Sequence, residues 1–121
     1  MSPPSRGGPL TGLRVVEFAH IMAGPTCGRM LADMGADVIK VEPVTEGDAT
    51  RGFRPPDLDG ESAAFMMLNR NKRGVALDLK LEGGLEVARR LIARADVLIE
   101  NHRPGTMERL GLGYDLLSET N

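Results

Sequence analysis

The spacing of apolar positions along the 121-residue chain changes several times, and each change marks an element. Leu13, Val15, Val16 and Phe18 form one short apolar run and Val38, Ile39 and Val41 another; both fit strands buried on at least one face. Between them, Cys27, Met30, Leu31 and Met34 recur at the i, i+3, i+4, i+7 spacing of a single helical stripe, expected to pack on the sheet. Pro25 suits the first turn of this helix, where its missing amide proton would have no partner. Gly35 suits the position just past the end, where left-handed backbone costs glycine nothing. Strand, helix and strand with short connections make a βαβ unit, so the two strands should be parallel neighbours. The loop from Ala19 to Gly24 then leaves the carboxyl end of a strand, the edge at which open α/β sheets bind ligands.

After Glu42 the periodicity lapses. The stretch from Pro43 to Gly60 holds Pro43, Pro55, Pro56, three glycines and scattered charges, a long excursion of the kind that often carries function. Ser62 to Asn69 predicts a short helix with Ala64, Phe65 and Leu68 on one face, followed by the basic residues Arg70, Lys72 and Arg73. Val75, Leu77 and Leu79 alternate as a third strand. Leu81, Leu85, Ala88, Leu91, Ile92 and Ala95 follow a helical stripe to about Arg94, and Val97 to Ile99 predict a fourth strand. Thr106–Leu110 and Tyr114–Glu119 read as short helices. The fold class is therefore α/β, a parallel sheet with flanking helices, and with four assignable strands it reads as incomplete.

Composition narrows the function. Aromatic residues make up 3% of the chain, so the core rests on aliphatic side chains and seven methionines, as suits helices on a parallel sheet. A net charge of −2 gives no argument for nucleic acid. The single cysteine excludes an internal disulfide or a multi-cysteine metal site, and Cys27, lying on the predicted stripe, reads as an inert core residue. The segment MSPPSRGG lacks a signal-peptide core, and nowhere do 18 apolar residues follow one another; the expectation is a soluble cytoplasmic protein without a membrane partner. Residues 1–8, with Pro3, Pro4, Gly7 and Gly8, read as a disordered lead-in.

Candidate chemistry gathers at strand ends. His20 leaves the first strand, Asn101 and His102 leave the fourth, and parallel strands would bring them to one sheet edge. Arg51, Arg54, Arg70, Lys72, Arg73, Arg103 and Arg109 fall in loops or at helix ends, where guanidinium forks and a helix N-terminus near Pro25–Gly28 can hold phosphates. Solvated surface cations are the alternative for each. Neither GxGxxG nor GxxxxGK[ST] occurs, which disfavours a dinucleotide dehydrogenase or a P-loop nucleotidase. Asp78, Asp96 and Asp115 sit within a strand, at a strand start and at a helix start, where carboxylates are commonly structural.

The blocks PLTGLRVVEF, AHIMAGP, LADMGADVIKVEP, GDATR, NRNKRGVALDLK and ADVLIENHRPGTMERLGLGY, in this order over Pro9 to Leu117, resemble the N-terminal part of the class III CoA-transferases. That family includes formyl-CoA and carnitine CoA-transferases and the related α-methylacyl-CoA racemase. The resemblance implies a Rossmann-like domain that binds coenzyme A as substrate and product, of which residues 9–121 are the N-terminal part and from which a second domain is missing. It further implies interlocked homodimers at full length, acyl-CoA and carboxylate substrates, and no metal. By the same resemblance, CoA contacts fall at Met22, Ala23, Leu77, Asp78, Lys80, Asn101, His102, Arg103 and Arg109, although Leu77 by periodicity alone is a core strand residue. Some relatives carry glutamine where Met22 stands and arginine where Pro43 stands, which would put an amide near the acyl group and a cation over the adenine. The form AHIMAGP is more similar to the transferase branch. In that branch an aspartate takes the acyl group as a mixed anhydride, and the family pattern puts it beyond Asn121, leaving no catalytic residue in this chain. A racemase fragment and a noncatalytic truncated module remain the alternatives.

Overall fold

The computed structural model describes residues 7–121; most of the expected lead-in, residues 1–6, lies outside them. Gly8 is tied down, exchanging hydrogen bonds with the hydroxyl of Thr11 at 2.8 Å. Along the chain, β1 (Arg14–Glu17), α1 (Ala23–Asp33) and β2 (Asp37–Glu42) form the expected βαβ unit. A 3-10 turn (Ala49–Gly52) and a short hairpin of β3 (Asp57–Leu58) and β4 (Glu61–Ser62) follow. Then come α2 (Ala63–Asn69), β5 (Arg73–Ala76), α3 (Glu82–Ala93), β6 (Val97–Ile99), α4 (Thr106–Arg109) and α5 (Tyr114–Leu117). The excursion after Glu42 thus carries structure that the sequence pattern did not show.

The main sheet has four parallel strands in the order β5-β2-β1-β6, with Val15 of β1 opposite both Val38 and Val97. Side chains alternate across a strand, so adjacent valines serve two different cores. Val15 joins Ala19, Ala32, Ala36, Val38 and Ile99 under α1. Val16 joins Phe18, Val41, Ala88, Ile92 and Met107 under α3 and α4. Covering both faces is why the strands read as continuous apolar runs.

Three details differ from the sequence pattern. The face that α1 turns inward is Gly24, Pro25, Gly28 and Ala32, while Met30 and Met34 are 54% and 39% exposed and Cys27 is exposed. Cys27 is therefore not a core residue. The reason is distance: a Cβ on Gly28 would run into the Glu17 carboxylate and one on Gly24 into Ala19, so the helix sits too close to the sheet for large side chains. The third strand ends at Ala76, because the Asp78 carboxylate accepts the Lys80 amide at 3.0 Å and turns the chain toward α3. Leu77 and Leu79 lie past the strand, packed against the edge of the core. Gly35 follows expectation, adopting φ +102° as its amide closes the helix on the Ala32 carbonyl.

Candidate functional site

The chain passes from β1 outward through β2 to β5, then returns across the sheet so that β6 lies on the other side of β1. Loops after β1 and β6 therefore leave in opposite senses, and a crevice opens between them at the carboxyl edge. A cavity of about 310 Å³ lies at this edge, lined by Phe18 and His20 after β1, Val41 to Thr45 around the end of β2, Leu77 to Lys80 after β5, His102 after β6, and Leu110. Its size is at the lower end of the range for small-molecule sites, about 300–1,000 Å³. A second hollow, about 390 Å³, lies beside β6 and α5, but its charged lining residues, Asp96, Glu100 and Glu108, are all acidic. The first hollow also has two carboxylates, but Glu42 is held by Arg51 and Asp78 is offset by Lys80, which makes it the better match to an anionic ligand.

Beneath the β1 loop is a buried ionic cluster. Lys40, 2% exposed, puts its ammonium 2.9 Å from Glu17 Oε1, 2.8 Å from Asp48 Oδ2 and 2.8 Å from the Ala19 carbonyl oxygen. Lys72 lies 2.8 Å from Glu17 Oε2 and also donates to the Pro25 carbonyl, joining α1 to the cluster. Asp48 accepts from the Thr50 amide and hydroxyl at 2.9 and 2.8 Å and from the Ile21 amide at 3.2 Å. Glu42 is forked by Arg51 at 2.8 Å through both oxygens and accepts the Asp48 amide at 2.7 Å. Burial pushes the Asp48 carboxyl up, but hydrogen bonds from Lys40 and Thr50 outweigh it and hold the group below its ordinary value. For Glu42 the Arg51 fork is the main cause of the same downward shift.

His20 and His102 meet edge to face with ring centroids 5.3 Å apart, as the parallel topology requires. Burial, reinforced by His102 and Lys40, lowers the His20 pKa despite the nearby Asp48 carboxylate, so His20 is neutral at pH 7 and offers hydrogen bonds rather than charge. Asn101 spends its side chain on the backbone of His20, accepting the amide at 2.9 Å and donating to the carbonyl at 2.8 Å.

Of the residues expected to face a ligand, Leu77, Asp78, Lys80 and His102 line the cavity together. Met22, 64% exposed, and Ala23 stand at the start of α1 outside that lining, as do Arg103 and Arg109; Arg109 donates to Thr106 Oγ1 at 3.2 Å. The wider set of basic candidates separates. Arg51, Arg70, Lys72 and Arg73 are paired with Glu42, Asp33, Glu17 and Asp37, and Arg54 donates to the Gly60 carbonyl. Among the described residues Arg103 and Arg109 have no carboxylate partner, which leaves them free for an incoming anion. Sequence reasoning missed Glu17, Lys40 and Asp48. Two of them had a signal: Lys40 inside the apolar run Val38–Val41 and Glu17 inside Val15–Phe18 violate a buried-strand pattern.

The four-stranded parallel sheet, covered on both faces and with a polar-rimmed crevice at its switch point, defines a doubly wound α/β domain. The model of CoA-transferase family III matches residues 10–121, and the chain belongs to that family. It is 47% identical over 113 residues to the succinyl-CoA–L-malate CoA-transferase beta subunit of Chloroflexus aurantiacus, covering 93% of this chain and 28% of the relative. It is 46% identical over 112 residues to the formyl-CoA:oxalate CoA-transferase of Bradyrhizobium diazoefficiens, covering 93% and 26%. The crystal structure of a CAIB/BAIF family protein from Brucella suis superposes with a TM-score of 0.90 at 48% identity, over 96% of this chain and 32% of the other. The chain thus spans about a quarter to a third of the length of these relatives. Among the described residues no helix is long and apolar enough to cross a membrane.

Proposed function

We propose that this chain forms part of the CoA-binding domain of an enzyme that transfers CoA between an acyl-CoA thioester and a carboxylic acid, and that the 121 residues alone do not catalyse the transfer. The observation that carries this reading is the crevice between the β1 and β6 loops in a chain of this family. There Leu77, Asp78, Lys80 and His102 share one wall, and Arg103 and Arg109 stand nearby without carboxylate partners. The cavity of about 310 Å³ suits one portion of a thioester of CoA, with phosphates reaching outward to the free guanidinium groups.

The acyl-accepting carboxylate is assigned to a segment beyond Asn121. Carboxylates at the crevice support this, since the two buried ones are held by cations and Asp78 already gives one oxygen to its own turn. Glu42 is forked by Arg51, Asp48 is sealed against Lys40, and Asp78 accepts the Lys80 amide. Asp96 accepts the Arg14 amide at the opposite end of the sheet, and Asp115 is exposed in the first turn of α5. A nucleophile must present an unencumbered oxygen to the thioester carbonyl. A homodimeric, cytoplasmic full-length protein belongs to the same proposal.

Isothermal titration calorimetry with CoA tests the binding role. The chain should bind, and Arg109→Ala should weaken binding about tenfold, the contribution of one charge-assisted phosphate contact. Equal affinities would remove Arg109 from the site. Exchange of labelled CoA between a thioester and a free carboxylate by the chain alone would overturn the assignment of the nucleophile elsewhere.

A further inference from the structure

Two consecutive peptide groups of the β1 loop, 19–20 and 20–21, are held by three side chains. Lys40 takes the Ala19 carbonyl, Asn101 takes both the amide and the carbonyl of His20, and Asp48 takes the Ile21 amide with both carboxylate oxygens, at 3.2 and 3.3 Å. Ile21 is meanwhile in the left-handed region at φ +67°. For a β-branched residue this conformation is an outlier that persists only where the surroundings over-determine it, and such strain collects at ligand sites. The next residues, Met22 and Ala23, open α1 beside the crevice.

We infer that Asp48 and Asn101 are positioning residues, which lock the 19–21 backbone in its strained form so that Met22 and the first amides of α1 are presented to the ligand. Asn101 then serves the site through the His20 backbone rather than by a contact of its own, and Asp48 serves it without reaching the cavity. This rests on the CoA-binding reading for its ligand but not for its geometry. Three anchors, from the middle of β2, the loop after Glu42 and the loop after β6, converge on two consecutive peptide groups, 19–20 and 20–21, and fill every donor and acceptor of both. Holding the fold together would not require that convergence, because β1 is already paired on both sides.

Asp48→Asn and Asn101→Ala, made in the full chain, are followed by NMR amide hydrogen exchange alongside calorimetric titration with CoA. The clamp predicts that the Ile21 amide in the first variant and the His20 amide in the second exchange at least about tenfold faster relative to Val38 in the sheet. General destabilisation would instead raise all three together. CoA affinity should fall about tenfold in each. Adding Ile21→Gly to Asp48→Asn should recover affinity, since glycine adopts φ > 0 without a clamp. Amides of His20 and Ile21 that keep their wild-type exchange relative to Val38 would overturn the clamp. Freed amides with unchanged affinity would overturn the positioning role. Asn101 is exposed, so Asn101→Ala folds and decides the matter even where Asp48→Asn does not. Wild-type chain that binds no CoA would defeat the functional reading alone, since the exchange ratios still test the clamp.

Discussion

Replacing Lys40 by methionine keeps the length and apolar stem of the side chain and removes only its charge. The ammonium is 2% exposed and lies within 2.9 Å of three oxygens, those of Glu17, Asp48 and Ala19. Glu17 would keep Lys72 at 2.8 Å, but Asp48 would be left fully buried with only the neutral donors of Thr50 and Ile21. Breaking a buried pair from one side costs about 3–5 kcal/mol, because an uncompensated charge remains. Against a total stability of roughly 5–15 kcal/mol this removes about a fifth or more, a fall in melting temperature of about 10–25 °C for a domain of this size. Urea denaturation followed by circular dichroism at constant slope measures the loss. The exposed pair Arg89–Glu82, with side chains 38% and 79% accessible, is the control, and Arg89→Ala should cost below about 0.5 kcal/mol. A loss for Lys40→Met of less than about 1 kcal/mol, indistinguishable from the control, would refute a buried and paired cation at this position. Adding Asp48→Asn to Lys40→Met should cost less than the sum of the single changes, because the orphaned charge is then gone.

Gly28→Ala should lower stability by about 1–3 kcal/mol, although alanine is the better helix former, because its methyl group would meet the Glu17 carboxylate; denaturation of an Arg90→Ala control on exposed α3 surface should show no such loss. Stability should fall in two stages on acidification, read as the urea midpoint against pH. The His20 pKa lies below its ordinary value near 6.5, so the unfolded chain takes up that proton first and stability begins to drop below about pH 6.5. Glu42 and Asp48 are held below the ordinary carboxylate values near 4, so their contribution is complete above that pH and is lost as pH falls through their folded values. His20→Gln should abolish the first stage and leave the second; a midpoint that declines equally from pH 6.5 in both proteins would show that another group titrates. Cys27 is exposed, so native chain should react with a thiol reagent at close to the rate of denatured chain, and strong native protection would return it to the core.

The order of strands and helices, the parallel pairing of β1 with β2 and the meeting of His20 with His102 follow from local pattern. Periodicity, Pro25 and Gly35 act over a few residues, and the handedness of a βαβ crossover does the rest. The family was legible too, because it resides in short blocks of residues. What local pattern could not reveal was which side of α1 faces inward. Counting apolar residues favours Cys27, Met30 and Met34. The sheet selects Gly24, Gly28 and Ala32, because the Glu17 carboxylate and the Ala19 methyl leave no room for more. Nor does pattern separate one arginine from another: Arg51, Arg70 and Arg73 look as free as Arg103 and Arg109 until the fold brings Glu42, Asp33 and Asp37 beside them. Lys40 and Glu17 stood out only as breaks in apolar runs. The pairing of Lys40 with Glu17, 23 positions earlier, and with Asp48, 8 positions later, exists only in three dimensions. Short-range periodicity specifies the elements because it is set by backbone geometry. The charges are decided by tertiary structure, because a buried ion is tolerable only beside a partner that some other segment of the chain must supply.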